Sequence, residues 1–266
     1  PHAKNMNEVL TEIKAVFLDL DGTLVLGSEI IEGAIEFTKL CRDRNISLTF
    51  LSNNSSRSVK QYLQKLRKLG LEVNQDEILL STHDLIKEMK KREIDECWLI
   101  GTIGMKKMLE DENILTDKKN SNWVVLGYDT ELTYEKLAQG VIMMNNGAKL
   151  IASHPDIVCP SPDGGLPDVG AILAMIQKTT GKNAEFITGK PRPEMILNHI
   201  RKLELQPEQC AMIGDRLYTD IEMANKAGCL SILVFSGETK SENFSEMSKK
   251  TGAVPDVIID SIANLL

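Results

Sequence analysis

Short apolar runs alternate along the chain with longer segments in which apolar residues recur every three or four positions. The runs span residues 15–20, 46–51, 97–100, 123–126, 149–152, 185–188, 210–213, 230–235 and 256–259. Most are apolar on both faces, which is typical of parallel strands that helices cover on both sides. Amphipathic segments lie between them, at residues 30–44, 58–68, 134–144, 168–179 and 193–203. This alternation predicts an α/β fold built on parallel sheets.

The number and spacing of the runs predict two sheets rather than one sheet of nine strands. Three runs, with helices of their own, fall within residues 81–183. We interpret the flanking segments 81–84 and 180–183 as hinges between compact units. We therefore predict a core of residues 1–80 and 184–266, with a parallel sheet covered by helices on both faces. Residues 81–183 would form an inserted α/β lid.

Composition limits the class of protein and its partners. Hydrophobic residues make up 42% and charged residues 26% of the 266 residues, which fits a globular protein. The net charge of −7 argues against nucleic acid or an anionic membrane surface as the main partner. The five cysteines are far apart and never spaced C-x-x-C, so we expect reduced thiols and a cytoplasmic location. Residues 1–5 lack an initiator methionine, and Met6 is a candidate natural start.

Two carboxylates directly follow the first apolar run, because residues 19–23 read Asp-Leu-Asp-Gly-Thr. Asp19 and Asp21 share a face if the strand continues that far. Like charges this close repel, and burying them is costly. The pair is expected where a hard cation neutralises it and one carboxylate attacks a substrate. A turn that contains Asp-Gly is the structural alternative for these residues taken alone.

Three further runs also end in polar residues. The second leads into Ser52, Asn53 and Asn54, a later one into Gly189-Lys190-Pro191, and the next into a segment from Gly214 to Asp220. Ligands of open parallel sheets bind outside the carboxyl ends of the strands, so these residues can converge on one crevice. A hydroxyl, backbone N–H groups, a lysine and several carboxylates together favour a site for phosphate and Mg²⁺. A helix N-cap at Ser52, a surface lysine at Lys190 and a capped helix start at Asp215 are the structural alternatives.

In order along the chain, Asp-x-Asp-Gly-Thr, a strand that ends in Ser, a lone Lys and Gly-Asp-x-x-x-x-Asp resemble the haloacid dehalogenase (HAD) superfamily. The segments 51–55, 189–191 and 214–220 resemble its type IIA, NagD-like phosphatases, the p-nitrophenyl phosphatase group. Only 31 positions separate Asp21 from Ser52, whereas 138 separate Ser52 from Lys190. Members with this spacing carry their cap between the second and third motifs, which agrees with the inserted unit predicted above.

The resemblance implies catalytic roles for three residues. Asp19 would be the nucleophile that becomes an aspartyl phosphate, and Asp21 would protonate the leaving alkoxide and later take a proton from water. Lys190 would offset the charge of the phosphate and Asp19. Gly22 would let the chain turn tightly beside the phosphate.

The remaining core motif residues would bind phosphate and metal. Ser52 and the N–H of Asn53 would hold phosphoryl oxygens, with Asn54 supporting them. Mg²⁺ would be bound by Asp19, the backbone carbonyl of Asp21, and Asp215. Asp220 would orient Lys190 or metal-bound water. Arg216 would either line the mouth of the site or form a surface ion pair.

The resemblance implies a phosphatase for a small phosphorylated metabolite such as a sugar phosphate, a nucleoside monophosphate or a p-nitrophenyl phosphate-like ester. Asp21 favours ester hydrolysis because an alkoxide leaving group needs an acid. A phosphotransferase or mutase of the same superfamily, and a phospho-acceptor signalling domain, remain alternatives. The resemblance also allows a homodimer.

In the predicted cap, His154 follows a strand, and a Pro- and Gly-rich loop of residues 159–170 runs into a helix that starts near Asp168. Relatives use this helix start to choose the leaving group, so His154 and Asp168 are candidate specificity residues. A loop made rigid by Pro155 is the structural alternative for His154.

Overall fold

The computed structural model describes residues 5–266. Its strands are β1 (Ala15–Asp19), β2 (Val25–Leu26), β3 (Glu29–Ile30), β4 (Ser47–Ser52), β5 (Ile78–Leu80), β6 (Trp98–Ile100), β7 (Trp123–Leu126), β8 (Lys149–Ala152), β9 (Val158–Cys159), β10 (Leu166–Pro167), β11 (Phe186–Ile187), β12 (Cys210–Gly214), β13 (Leu230–Val234) and β14 (Val257–Ile259). Its α-helices are α1 (Met6–Val9), α2 (Ala34–Asp43), α3 (Val59–Lys68), α4 (Ser81–Lys91), α5 (Ile103–Asp111), α6 (Tyr134–Asn145), α7 (Val169–Thr180), α8 (Glu194–Lys202), α9 (Glu222–Ala227) and α10 (Ser241–Thr251). Within residues 5–266, no helix has both the length and the apolar character needed to cross a bilayer. The expectation about a natural start at Met6 concerns residues that lie largely outside this described part.

The first compact unit comprises the described residues up to Ser52, together with Leu63–Leu79 and Lys190–Leu266. It holds a six-stranded sheet in the order β14-β13-β12-β1-β4-β5. β1 is central and pairs in parallel with both β4 and β12, so all five of its residues are buried. Its Phe17 packs in one cluster with residues of α8 and α9. A strand in this position has to be apolar on both faces, which is what its sequence shows.

The second compact unit comprises Asn53–Tyr62 and Leu80–Gly189. Its four-stranded sheet has the order β11-β8-β7-β6, and every neighbouring pair is parallel. Adjacent strand residues point to opposite faces. Val125 accordingly packs with residues of α4 and α5, whereas Val124 packs with residues of α6 and α7. The unit therefore has a hydrophobic cluster on each face of its sheet.

The predicted α/β class with parallel sheets is confirmed, and each of the nine apolar runs contains a strand. The interpretation of residues 81–84 as a hinge is wrong. They form the first turn of α4, where the His83 Nδ1 accepts a hydrogen bond of 2.9 Å from the backbone N–H of Leu80. Residues 180–183 are likewise the end of α7, which Gly181 terminates with a φ of +72°. Chain connections between the two units fall instead at residues 52–53, 62–63, 79–80 and 189–190.

The strand near residues 185–188 also differs from the prediction, which assigned it to the core. β11 pairs with β8, with Phe186 opposite Ile151, so it is the edge strand of the second sheet. An apolar run identifies a strand but not the sheet it joins, because that choice depends on backbone pairing. The predicted loop 159–170 contains the last residue of β9 and all of β10, which pair as a hairpin.

His199 on α8 provides a test of how the core responds to pH. Its Nε2 lies 3.2 Å from the Thr49 hydroxyl, and its ring meets Phe17 edge-on at 5.9 Å between centroids. Burial, aided by nearby Lys202, lowers the pKa of His199. The unfolded chain therefore binds a proton before the folded one as pH falls below about 6.5, and stability is lost across that range.

We expect the natural chain to lose more thermal stability than His199→Gln when the pH is lowered from 7.5 to 5.5. Melting temperatures of both proteins over this range measure the effect. Parallel curves for the two proteins would contradict the role given to His199.

Candidate active site

The carboxyl ends of three neighbouring strands bring the predicted motifs together in the first unit. Asp19 ends β1 and lies opposite Leu51, so Ser52 follows one position later on β4. On the other side, Leu18 lies opposite Ile213, so Gly214 and Asp215 follow at the same edge. Parallel strands that end together expose their next residues to one crevice. The register alone therefore places Asp19, Ser52 and Asp215 at one edge of the sheet.

Lys190 joins two of the acidic residues at this edge. Its Nζ lies 2.8 Å from Oδ1 of Asp19 and 2.7 Å from Oδ1 of Asp220. All three side chains are almost completely buried, with Lys190 4% and Asp220 0% exposed. Oδ2 of Asp220 accepts the backbone N–H groups of Asp215 and Arg216, each at 3.2 Å. Asp220 thus uses both oxygens to hold Lys190 and the Asp215 loop.

Asp215 is held by one oxygen only. Its Oδ2 accepts the backbone N–H of Glu238 at 2.8 Å. Its Oδ1 is buried and has no hydrogen-bond partner among the described residues. A side chain at Gly22, whose φ is +86°, or at Gly237 would collide with this carboxylate. The two glycines therefore leave room for Asp215, and one buried oxygen remains available to a cation.

The electrostatics of the site follow from three carboxylates and one ammonium in a dry environment. Asp19, Asp215 and Asp220 each offer an oxygen within 4.8 Å of the others. Burial, reinforced by Asp19 and Asp220, raises the pKa of Asp215. Burial and the charge of Asp19 also raise the pKa of Asp220, although Lys190 opposes this shift. Burial disfavours the ammonium of Lys190, but Asp19 and Asp220 outweigh it and raise the pKa of Lys190. A cation would relieve the excess negative charge.

The other predicted core residues have different surroundings. The Asp21 side chain is exposed, so it is open to exchange protons with solvent or a ligand. Ser52 is buried at the end of β4. Asn53 follows it as the first residue of the second unit, where its amide Nδ2 lies 3.2 Å from Oδ1 of Asp156. Asn54 closes the loop locally, since its Oδ1 accepts the backbone N–H of Ser56 at 2.8 Å.

The two candidate specificity residues contact each other in the second unit. The Nε2 of His154 lies 2.8 Å from Oδ1 of Asp168, which caps α7 by accepting the N–H of Val169. Asp168 also lines a cavity of about 230 Å³ with residues 126–129, Leu132 and Ile172. His154 is fully buried. Their role in specificity stays a prediction.

Sequence reasoning missed the segment that follows β13. The Ser236 hydroxyl donates to the carbonyl of Gly22 at 2.7 Å, and the backbone of Glu238 holds Asp215. Arg216 also lies near this segment, with its Nε 3.9 Å from the Glu238 carboxylate. A signal was present, because residues 230–235 are another apolar run of the same sheet. The strand-end rule that located the other motifs applies here too.

Comparison with known proteins identifies the family. Two family profiles match, haloacid dehalogenase-like hydrolase over residues 16–115 and HAD-hydrolase-like over residues 187–265. A 5′-nucleotidase of Bacillus subtilis is 32% identical, over 91% of this chain and 94% of its own length. An acid sugar phosphatase of Staphylococcus epidermidis is 33% identical, over 86% of this chain and 89% of its own.

Solved structures agree with the sequence matches. The 4-nitrophenylphosphatase from Thermotoga maritima superposes with a TM-score of 0.91 at 37% identity, over 97% of both chains. NagD proteins also match across most of the chain. The chain therefore belongs to the haloacid dehalogenase-like hydrolases, in the NagD-like p-nitrophenyl phosphatase group, and is an enzyme of the phosphoric monoester hydrolase class.

Proposed function

We propose that this chain is a Mg²⁺-dependent phosphatase that hydrolyses small phosphate monoesters through an aspartyl phosphate on Asp19. The observation that carries the proposal is the buried cluster in which Lys190 bridges Asp19 and Asp220 beside the half-satisfied carboxylate of Asp215. A purely structural cluster would satisfy each buried oxygen. This one leaves an acceptor unused next to a carboxylate at the end of the central strand.

In the first step, a carboxylate oxygen of Asp19 attacks phosphorus, and the bond from phosphorus to the ester oxygen breaks. Asp21, in its acid form, gives its proton to the departing alkoxide. In the second step, water attacks the phosphorus of the aspartyl phosphate and gives a proton to Asp21. Orthophosphate leaves, and Asp19 returns as a carboxylate. The exposure of the Asp21 side chain suits a group that must exchange protons in both steps.

Three further residues would hold the phosphoryl group during both steps. Lys190 keeps its positive charge, since its pKa is raised, and so offsets the charge that accumulates between Asp19 and the phosphate. The hydroxyl of Ser52 and the N–H of Asn53 would donate to phosphoryl oxygens. Asp220 positions Lys190 through the contact of 2.7 Å between them. Donors fixed before the reaction stabilise the transition state without reorganising.

The residues present fit a hard divalent cation. Asp19, Asp215 and the backbone carbonyl of Asp21 would hold it, and the buried Oδ1 of Asp215 has no competing partner among the described residues. Oxygen ligands of this type are those that Mg²⁺ prefers. When bound, the cation neutralises carboxylate charge and polarises a phosphoryl oxygen.

The substrate is proposed only at the level of class. The relatives named 5′-nucleotidase, acid sugar phosphatase and 4-nitrophenylphosphatase support small monoesters with unlike leaving groups. The second unit, inserted in the chain between the Ser52 and Lys190 motifs, is our candidate for the part that selects among them. We also propose a cytoplasmic location, which five cysteines in the reduced, non-disulfide form support.

Release of orthophosphate from a panel of monoesters, with no acceptor sugar present, tests the proposal. The panel would contain p-nitrophenyl phosphate, nucleoside monophosphates, sugar phosphates and glycerol phosphates. We expect catalytic release from several of them. Transfer only when an acceptor is added would instead indicate a phosphotransferase or mutase.

Asp21→Asn should lower kcat/KM for p-nitrophenyl phosphate less than kcat/KM for alkyl phosphates, because kcat/KM reports the first step, in which the leaving group departs. An amide cannot deliver a proton, and general acid–base catalysis contributes roughly 10²–10⁴-fold, so we expect a loss of that size for a sugar phosphate. p-Nitrophenolate leaves more readily without a proton, which makes the pair of substrates a built-in control. Equal, near-natural rates for both substrates would favour the phospho-acceptor alternative.

A further inference from the structure

A chain of four hydrogen bonds, three of them buried, links the loop after β4 to the start of α7 within the second unit. The backbone N–H of Tyr128 donates to the Ser55 hydroxyl at 2.8 Å. The hydroxyls of Ser55 and Ser153 are 2.9 Å apart, and the Ser153 hydroxyl is 2.9 Å from Nδ1 of His154. The chain ends at Asp168, 2.8 Å from Nε2 of His154.

The direction of these hydrogen bonds follows from the donors and acceptors available. The Asp168 carboxylate can only accept, so Nε2 of His154 carries a hydrogen. Nδ1 of His154 then accepts from the Ser153 hydroxyl. The Ser153 oxygen accepts from the Ser55 hydroxyl, and the Ser55 oxygen accepts from the backbone N–H of Tyr128. Every group is then satisfied.

Ser55 lies three residues after Ser52 and two after Asn53, in the loop assigned to phosphate binding. We infer that His154 is a positioning residue, which fixes this loop through Ser153 and Ser55 rather than by contacting the leaving group. The inference rests on the proposed function, because it assumes that Ser52 and Asn53 hold the phosphoryl group.

Two features favour positioning over substrate contact. His154 is 0% exposed, and both of its ring nitrogens already have partners inside the second unit. Ser55 also has little freedom to move, because it is fully buried and its hydroxyl already bonds to Ser153 and to the backbone N–H of Tyr128. The loop has further anchors, since the Ser81 hydroxyl donates to the carbonyl of Asn53 at 2.8 Å. Loss of the His154 link should therefore weaken phosphate binding without unfolding the loop.

Two substitutions test the two ring nitrogens of His154 separately. The longer His154→Gln can still reach Asp168 but not Ser153, whereas the shorter His154→Asn can accept from Ser153 but not reach Asp168. We expect His154→Gln to lower kcat/KM about fivefold, which corresponds to the typical net value of one ordinary hydrogen bond. His154→Asn should stay within about threefold of the natural chain, since it retains the bond to Ser153.

A residue that positions the phosphate loop should lower kcat/KM by the same factor for every leaving group, and a merely structural role would not produce this result. We expect the same factor for p-nitrophenyl phosphate, a nucleoside monophosphate and a sugar phosphate, and an equal rise in the inhibition constant of orthophosphate. Ser153→Ala should reproduce the effect of His154→Gln, and it replaces that variant if the latter does not fold. Melting temperatures establish that each variant is folded.

A factor that changes with the leaving group, with orthophosphate inhibition unchanged, would overturn the inference and make His154 a specificity residue. Natural kinetics in both His154→Gln and Ser153→Ala would overturn it as well. Failure of the proposed function has a different signature. In that case Asp19→Asn would retain turnover, whatever the His154 variants do.

Discussion

Asp19→Asn is expected to abolish turnover and to leave the protein folded. An amide is not a nucleophile towards phosphorus, so no aspartyl phosphate can form. Removing the nucleophile of a covalent mechanism costs roughly 10⁴–10⁶-fold in kcat. The fold should survive because Asn has the same shape, and its Oδ1 can still accept from Lys190, which keeps its contact with Asp220.

Two measurements make this result specific. Orthophosphate release gives the rate, and the mass of acid-quenched protein shows whether a phosphoryl group is attached during turnover. The natural enzyme should carry the group on Asp19, and the variant should not. Asp111→Asn is the matched control, because it removes an exposed carboxylate that pairs with Lys107 on the surface of α5. Turnover by Asp19→Asn at a comparable rate would refute the assignment of the nucleophile.

The strands could be predicted from the sequence because a strand that is buried on both faces requires a nearly continuous run of apolar residues. β1 and β12 are apolar at nearly every position, β4 is apolar at three of its six, and all three are interior strands of one sheet. α4 was missed for the opposite reason. It begins with four polar residues, and the side chain that caps it, His83, is not one of the usual capping types. β11 was assigned to the wrong sheet because strand pairing uses backbone hydrogen bonds, which no side-chain pattern specifies.

For the candidate site, the sequence predicted which motif residues meet but not the contacts that support them. Chain order and the strand-end rule were enough to group Asp19, Ser52 and Asp215, because parallel strands bring their carboxyl ends to one edge. Lys190 follows a strand of the other sheet, so only the order of the motifs in the family resemblance grouped it with them. The contacts that support them come from loops with no distinctive pattern. Glu238 donates its backbone N–H to Asp215, and every residue except proline has such a group. The pairing of His154 with Asp168 depends on how a hairpin folds back, and no periodicity encodes that.

Removal of divalent cations should stop catalysis, and Mg²⁺ should restore it. Without a cation, the charges of Asp19, Asp215 and Asp220 outnumber the positive charges of Lys190 and the nearby Arg216, and the approach of a phosphate dianion becomes unfavourable. We expect phosphate release to fall to the background rate after chelation and to recover as Mg²⁺ is titrated back. Persistence of turnover in chelator would contradict the metal-dependent mechanism.

Thermal unfolding in the absence of substrate provides a reading of the same site that does not depend on catalysis. A ligand at 100 times its dissociation constant stabilises the folded state by about 2.7 kcal/mol, which for a protein of this size raises the melting temperature by roughly 5–10 °C. Asp215→Asn should remove most of this Mg²⁺-dependent rise, since Oδ1 of Asp215 is a site oxygen with no hydrogen-bond partner within residues 5–266. Asp111→Asn should keep all of it. If Asp215→Asn responds to Mg²⁺ as the natural chain does, the cation binds elsewhere, and the buried carboxylates at the end of β1 have to be explained without it.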